Sequence, residues 1–176
     1  MLLLCAATCL ALLAGCAKST IVSDVWRDSA RSRTKPGKTL VLAVFQDPGV
    51  RISLEDEWTR QLRSRGIAAD AVHTVFAGPP PDRERLVELV KAGGFDTLLI
   101  CKLLEVKKVE RDVSASQVAV VETILYDTKT EQPYWSARSE TFLVNPTGEH
   151  VANPRSELIR EFVEDVIREM SVSKVL

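Results

Sequence analysis

Four cysteines and two histidines are the side chains best suited to nucleophilic or metal chemistry in this 176-residue chain. Cys16 carries the clearest chemistry. It ends the tetrapeptide Leu13-Ala14-Gly15-Cys16, which closes a run made almost wholly of Leu, Ala and Cys. The run suits the apolar core of a secretory leader and is too short for the roughly 20 residues of a bilayer-spanning helix. Small Ala14 and Gly15 fit a peptidase cleft. The expected chemistry is therefore cleavage before Cys16 and transfer of a diacylglycerol to its thiol. One acyl chain binds a membrane only marginally, whereas a triacylated Cys16, palmitate among its chains, would anchor the protein stably. The leader has no Lys or Arg although such leaders normally start positive, which a start site upstream of Met1 would explain.

The other candidates are weaker. Cys5 and Cys9 leave with residues 1–15, and Cys16 is acylated, so Cys101 remains alone and no intramolecular disulfide is expected. Cys101 sits in the apolar run Leu98-Leu99-Ile100-Cys101, where a free cysteine behaves as a small buried hydrophobe; a reactive thiol is the alternative. His73 lies in a strand-like run and His150 in a polar loop, neither with Cys or carboxylates at metal-site spacing. Both read as structural or surface residues. G-x-S-x-G and S-x-x-K nucleophile motifs are missing, though a Ser/His/Asp triad can be dispersed along a chain. Gly37-Lys38-Thr39 is not a phosphate loop: Ser32 stands where its first glycine belongs, and the segment precedes a strand instead of following one. No catalytic residue, cofactor or metal is assigned.

Arg51, Arg60, Arg63 and Arg65 could form a basic face. However, Glu55, Asp56 and Glu57 share their helix, and early acids with late bases suit the helix dipole. Arg51 and Glu55 are spaced for a local ion pair of modest value. Trp26, Tyr134 and Trp135 read first as packing residues. Trp135 and Tyr134 are carried as possible partner contacts, on the condition that one is exposed.

These side chains are positioned by a legible set of elements. Ile21–Trp26 interrupts a polar, basic segment with apolar residues and is expected to dock on the domain as an extended stretch. Lys38–Phe45 is a continuous β-branched run, the mark of a strand buried on both faces. Asp47-Pro48-Gly49 reads as a turn. Ser53 reads as the N-cap of a helix with Asp56 as its capping-box acid, a Leu54/Trp58/Leu62 stripe and Gly66 at its end. Ile67–Phe76 reads as a second strand. Asp82 caps a helix carrying Leu86, Val87, Leu89 and Val90, closed by Gly93-Gly94. Asp96–Val106, Val118–Tyr126 and Tyr134–Val144 read as three further strands, the last two a hairpin about Asp127–Thr130. Asn153-Pro154 opens a final helix with stripe Leu158, Phe162, Val166 and Met170.

The expected fold is a single α/β domain, β-α-β-α-β-β-β-α, a mixed sheet with helices packed on it. Residues 1–15 form the cleaved signal, 16–37 a lipidated, partly docked linker, and 38–176 the domain. The 23 basic and 24 acidic residues give a net charge of −1. No long-range field draws the chain to nucleic acid or anionic lipid.

Several residues carry a resemblance: Ser23-x-x-Trp26-x-Asp28, Leu40–Val44, Arg51, Glu55-Asp56-Glu57, Leu62, Gly66, Gly94–Ile100 and Trp135-Ser136-Ala137. The pattern resembles a group of small uncharacterised bacterial lipoproteins, with Phe95 where that group usually has Ala. The layout is more distantly similar to the N-terminal domain of the Tol propeller protein and to lipoproteins that activate penicillin-binding proteins. These resemblances imply a non-catalytic module that binds an envelope protein. Ala17, where inner-membrane retention would usually want Asp, implies the outer membrane facing the periplasm. Activation of a peptidoglycan synthase is the first alternative. Against it, a docked Ile21–Trp26 leaves a free tether of only about 15 Å, and even an extended Ala17–Gly37 would reach about 70 Å. An envelope hydrolase with a dispersed site is the second; it would require His73, His150 or Cys101 to meet titratable partners in a cleft.

Overall fold

The computed structural model describes residues 19–30, 35–111, 114–143 and 156–176. Cys16, His150 and the Asn153-Pro154 helix start lie outside the described residues. Strand β2 (Thr39–Val44) is apolar and almost wholly buried, as its sequence requires. It pairs in parallel with β3 (Ala69–Ala71) on one side and β4 (Thr97–Arg111) on the other. β5 (Ser114–Asp127), β6 (Gln132–Phe142) and β1 (Thr20–Arg27) continue the sheet antiparallel, in the order β1-β6-β5-β4-β2-β3. The mixed α/β sheet expected from the sequence is present, with β1 as an additional edge strand.

Helix α1 (Pro48–Ser64) starts five residues before Ser53. Asp47 caps it, its carboxylate accepting from Val50 N at 3.0 Å, and Pro48 occupies the first turn, where a missing N–H costs nothing. The expected turn at Asp47-Pro48-Gly49 is thus a helix start, and Ser53 is not a cap.

Ile67–Phe76 is likewise not one strand. Only Ala69–Ala71 pairs with β2, after which Val72–Val75 forms a single helical turn, α2. The cause is local: the His73 N–H is taken by the Glu55 carboxylate at 2.9 Å, and the Thr74 hydroxyl bonds Ala71 O at 2.7 Å. The backbone donor finds its acceptor outside the sheet, and the chain bends.

Helix α3 (Arg83–Gly93) begins at Asp82, whose carboxylate accepts from Arg85 N, and ends at Gly94 with φ +62°, a left-handed conformation that glycine adopts freely. Helices α1 and α4 (Ser156–Val172) cover one face of the sheet. There Trp58, Leu62, Phe162, Val166 and Met170 pack on Leu99, Cys101, Leu125 and Trp135. Trp58 meets Phe162 edge to face, ring centres 6.3 Å apart. On the opposite face α2 and α3 press Val72 and Val90, with Phe95, onto Leu40 and Leu42.

Tyr134 and Trp135 are 4 % and 0 % exposed, so neither is free for a partner contact in the folded domain. Trp135 points from β6 into the core beneath the helices. The exposed aromatic is Trp26 on β1, at 47 %.

Cys101 is fully buried, and burial pushes its thiol up to about 12 despite weak polar contacts from Trp58 and Thr123. A thiol raised in the folded state favours unfolding once solvent-exposed cysteine begins to ionise. Its share of stability is therefore complete below about pH 8.5 and declines as pH rises toward 12. In a form beginning at Ala17, alkylation of Cys101 near neutral pH is expected to proceed at the rate of unfolding and not at the rate of a free thiol. Mass spectrometry of iodoacetamide-treated protein checks this.

Candidate functional site

Helix α1 places Arg51 and Glu55 one turn apart beneath the C-terminal end of β2. Both are buried, Glu55 completely. One carboxylate oxygen, Oε1, accepts from Ala43 N at 3.1 Å and lies 3.6 Å from Arg51 Nη1. The other, Oε2, accepts from His73 N at 2.9 Å and lies 2.7 Å from His73 Nδ1. His73 Nε2 lies 3.1 Å from Asp56 Oδ1, and Arg51 Nη2 donates to Gly78 O at 3.1 Å.

One carboxylate therefore ties together β2, the start of α2 and, through Arg51, the Gly78 segment. The Arg51–Glu55 pair, expected as a local pair of modest value, is buried, and this changes its energetics. A buried ion pair returns its desolvation cost only while both partners remain.

The arrangement resembles acid–base machinery in composition more than in geometry. His73 is not isolated from titratable groups: Nδ1 is taken by the buried Glu55 carboxylate, and Nε2 lies 3.1 Å from the exposed Asp56 carboxylate. Glu55 has no solvent-facing oxygen. The contacts of His73 diverge, so they define no common metal position; among the described residues no group of three His, Cys, Asp or Glu side chains is placed to hold a metal ion. In open α/β sheets the crevice at the carboxyl ends of parallel strands commonly takes a ligand. Here the buried Arg51 and Glu55 side chains stand at the carboxyl end of β2.

The helix basic face is also internally engaged. Arg60 bonds Glu57, Arg63 bonds Ala69 O and Asp70, and Arg65 bonds Gln61. Burial works to raise the Glu57 carboxyl, but bonds from Arg60 and Gln61 outweigh it and hold the group below its usual value.

A different feature is open to solvent. Val90 is the buried residue of α3; Leu86, which packs against the Leu40 and Leu42 cluster, and Val87 are half-buried. Between them and Leu98, Ile100 and Tyr126 lies a cavity of about 400 Å³. Its charged groups stand at the rim, where Arg83 pairs with Glu131 at 3.5 Å. Such a site binds by apolar contact and shape, with the rim orienting the ligand. Leu86 and Val87 were legible as an apolar stripe, but a stripe says nothing about how closely a helix seats.

No protein-family model and no curated protein matches the sequence. Among solved structures, the PelC dodecamer from Paraburkholderia phytofirmans is similar, with a TM-score of 0.55 and 17 % identity over 84 % of this chain and 95 % of that one. The likeness is one of fold. Lipoprotein GNA1162 from Neisseria meningitidis gives a TM-score of 0.50 and 16 % identity, over 78 % of this chain and 99 % of that one. Both alignments span nearly all of the neighbour, so the sheet and its helices form one shared architecture.

Proposed function

We propose that the protein is a lipid-anchored, non-catalytic accessory module of the cell envelope, held in the outer membrane by Cys16 and facing the periplasm. Its α3 cavity takes an apolar side chain or segment of an envelope protein. The observation that carries this reading is the division between the two sites: the titratable cluster is closed and internally bonded, whereas the accessible cavity is apolar. The lipobox supplies the anchor, and no helix among the described residues is long and apolar enough to cross a membrane.

The short tether disfavours a synthase activator that must reach across peptidoglycan. The divergent placing of His73 between buried Glu55 and exposed Asp56, with no nucleophile beside it, disfavours a hydrolase built on that residue.

In-cell crosslinking followed by mass spectrometry tests the proposal. A specific partner should be recovered with the native chain and lost with Val87→Asp, which puts a charge on the cavity wall without touching the main core. Recovery of no partner above a Cys16→Ser control would count decisively against a binding role.

Self-assembly is a second reading, favoured by adjacent exposed Val25 and Trp26 on edge strand β1 and by the dodecameric state of PelC. The edge itself is blunted, because Asp24 has φ +48° and the register shifts between Ser23 and Trp26. Assembly would therefore use the side chains of β1 and not its backbone. Native mass measurement on the detergent-purified protein, with Trp26→Ser as control, distinguishes the two.

A further inference from the structure

On the sheet face that α1 and α4 leave open, the cluster under α2 and α3 takes in residues of β2 and β4 and none of β5, β6 or β1. The uncovered strands carry matched rows. Trp26 pairs with Ser136, Ser136 with Ile124 and Ile124 with Ile100, so these four side chains share one face. Ile100 is a wall of the α3 cavity. Trp26 stands three strand steps away, about 14 Å, at the free edge.

Two residues along, the next row is Ser23, Arg138, Glu122 and Lys102, in which charge alternates across the strands. Arg138 and Lys102 are exposed and Glu122 is half-buried. Arg138 reaches only Asp24, at 3.9 Å, and Glu122 has no hydrogen bond or ion pair among the described residues. One row further, Val120 is buried, and the patch ends there.

A two-fold axis parallel to the strands, between β5 and β6, exchanges the two halves of each row. Trp26 of one copy then comes over Ile100 of the other, and Arg138 over Glu122, with each contact made twice. Sheets packed face to face stand about 10 Å apart, so the second copy's β1 runs beside α3 and its indole enters the cavity. Aligned sheets cross at about 30°, which moves facing residues 7 Å from the axis by about 4 Å. That is less than the roughly 7 Å between same-face neighbours along a strand. The axis also leaves the Thr20 ends of both β1 strands on one side, where two chains held in one membrane need them. An axis across the strands would set them at opposite ends.

We propose that a second copy of this chain covers this face, Trp26 of each filling the α3 cavity of the other, in an isologous dimer. The two tryptophans are the buried anchors, and the Arg138–Glu122 contacts fix the register. The inference rests on the self-assembly reading and names the surface that assembly uses.

Native mass spectrometry of the full-length protein purified in detergent tests it, on the native chain, Arg138→Glu, Glu122→Arg and an equimolar mixture of the two variants. Arg138→Glu sets acid against acid across the axis, and Glu122→Arg sets base against base. In the mixed pair every facing contact is again opposite in charge. The native chain should be dimeric, and each variant alone at least tenfold poorer in dimer at the same concentration. The mixture should regain dimer containing one chain of each. Trp26→Ser, on an exposed edge, should lose the dimer without any change of charge, and unfolding midpoints near that of the native chain show that the variants fold. Variants that dimerise alone, or a mixture that stays monomeric, would overturn the face-to-face dimer while an oligomeric native chain left self-assembly standing. A monomeric native chain would overturn both.

Discussion

Glu55→Ala is expected to lower folding stability by about 3–5 kcal/mol, the cost of leaving a buried guanidinium without its counter-charge. Most domains hold only about 5–15 kcal/mol in reserve, so the variant should be partly unfolded at moderate temperature. The loss has two sources that can be separated. Arg51 loses its ion partner, while Ala43 N and His73 N lose the carboxylate oxygens that accept from them. The double variant Arg51→Met/Glu55→Leu removes the charge problem but leaves both amides unbonded. It should recover part of the loss, with about 1–3 kcal/mol remaining for each buried amide left bare. Urea unfolding of the three proteins measures this. A loss below about 1 kcal/mol for Glu55→Ala would mean that the cluster does not bind these elements together.

Trp58→Ala should cost about 3–5 kcal/mol, the range for deleting a fully buried aromatic ring. The indole fills the space between α4 and the sheet, edge-on to Phe162, and lies against the Cys101 thiol. Its removal is expected to do two things together: lower the unfolding midpoint and open Cys101 to alkylation in the folded state. Trp58→Phe should restore most of the stability and the protection of the thiol. Reactivity without a change in midpoint would show that the ring shields Cys101 without supporting the core.

Much of the fold is written in local pattern. The buried run of β2, the Leu54/Trp58/Leu62 stripe, the Asp82 cap and the Gly66 and Gly94 stops follow from residue type and spacing, and the structure places each where the sequence implies. The departures have two causes. Asp47-Pro48 has the residue types of both a turn and a helix start, and the local Asp47–Val50 cap decides for the helix, whereas whether His73 sits in a strand or a turn depends on where a distant partner stands. Glu55 decides the second case by accepting the His73 N–H across 18 residues. No spacing rule links a mid-helix carboxylate to a later backbone amide, so the brace was legible only as its Arg51–Glu55 half. Tyr134 and Trp135 illustrate the same limit. An aromatic pair on a strand is equally suited to a core and to a surface, and burial is settled by what α1 and α4 cover. The cavity beside α3 was invisible for a related reason: periodicity fixes which side of a helix is apolar, not its distance from the sheet.

In the proposed function Cys16 becomes the first residue of the mature chain and its membrane anchor. The direct measurement is the intact mass of protein extracted from the membranes of a diderm bacterial host. The expected product is a chain of residues 16–176 carrying a diacylglycerol and an amide-linked acyl group, with Cys16→Ser released from the membrane fraction. A membrane-bound native protein that retains Met1–Gly15, or one whose mass matches the unmodified polypeptide, would contradict it.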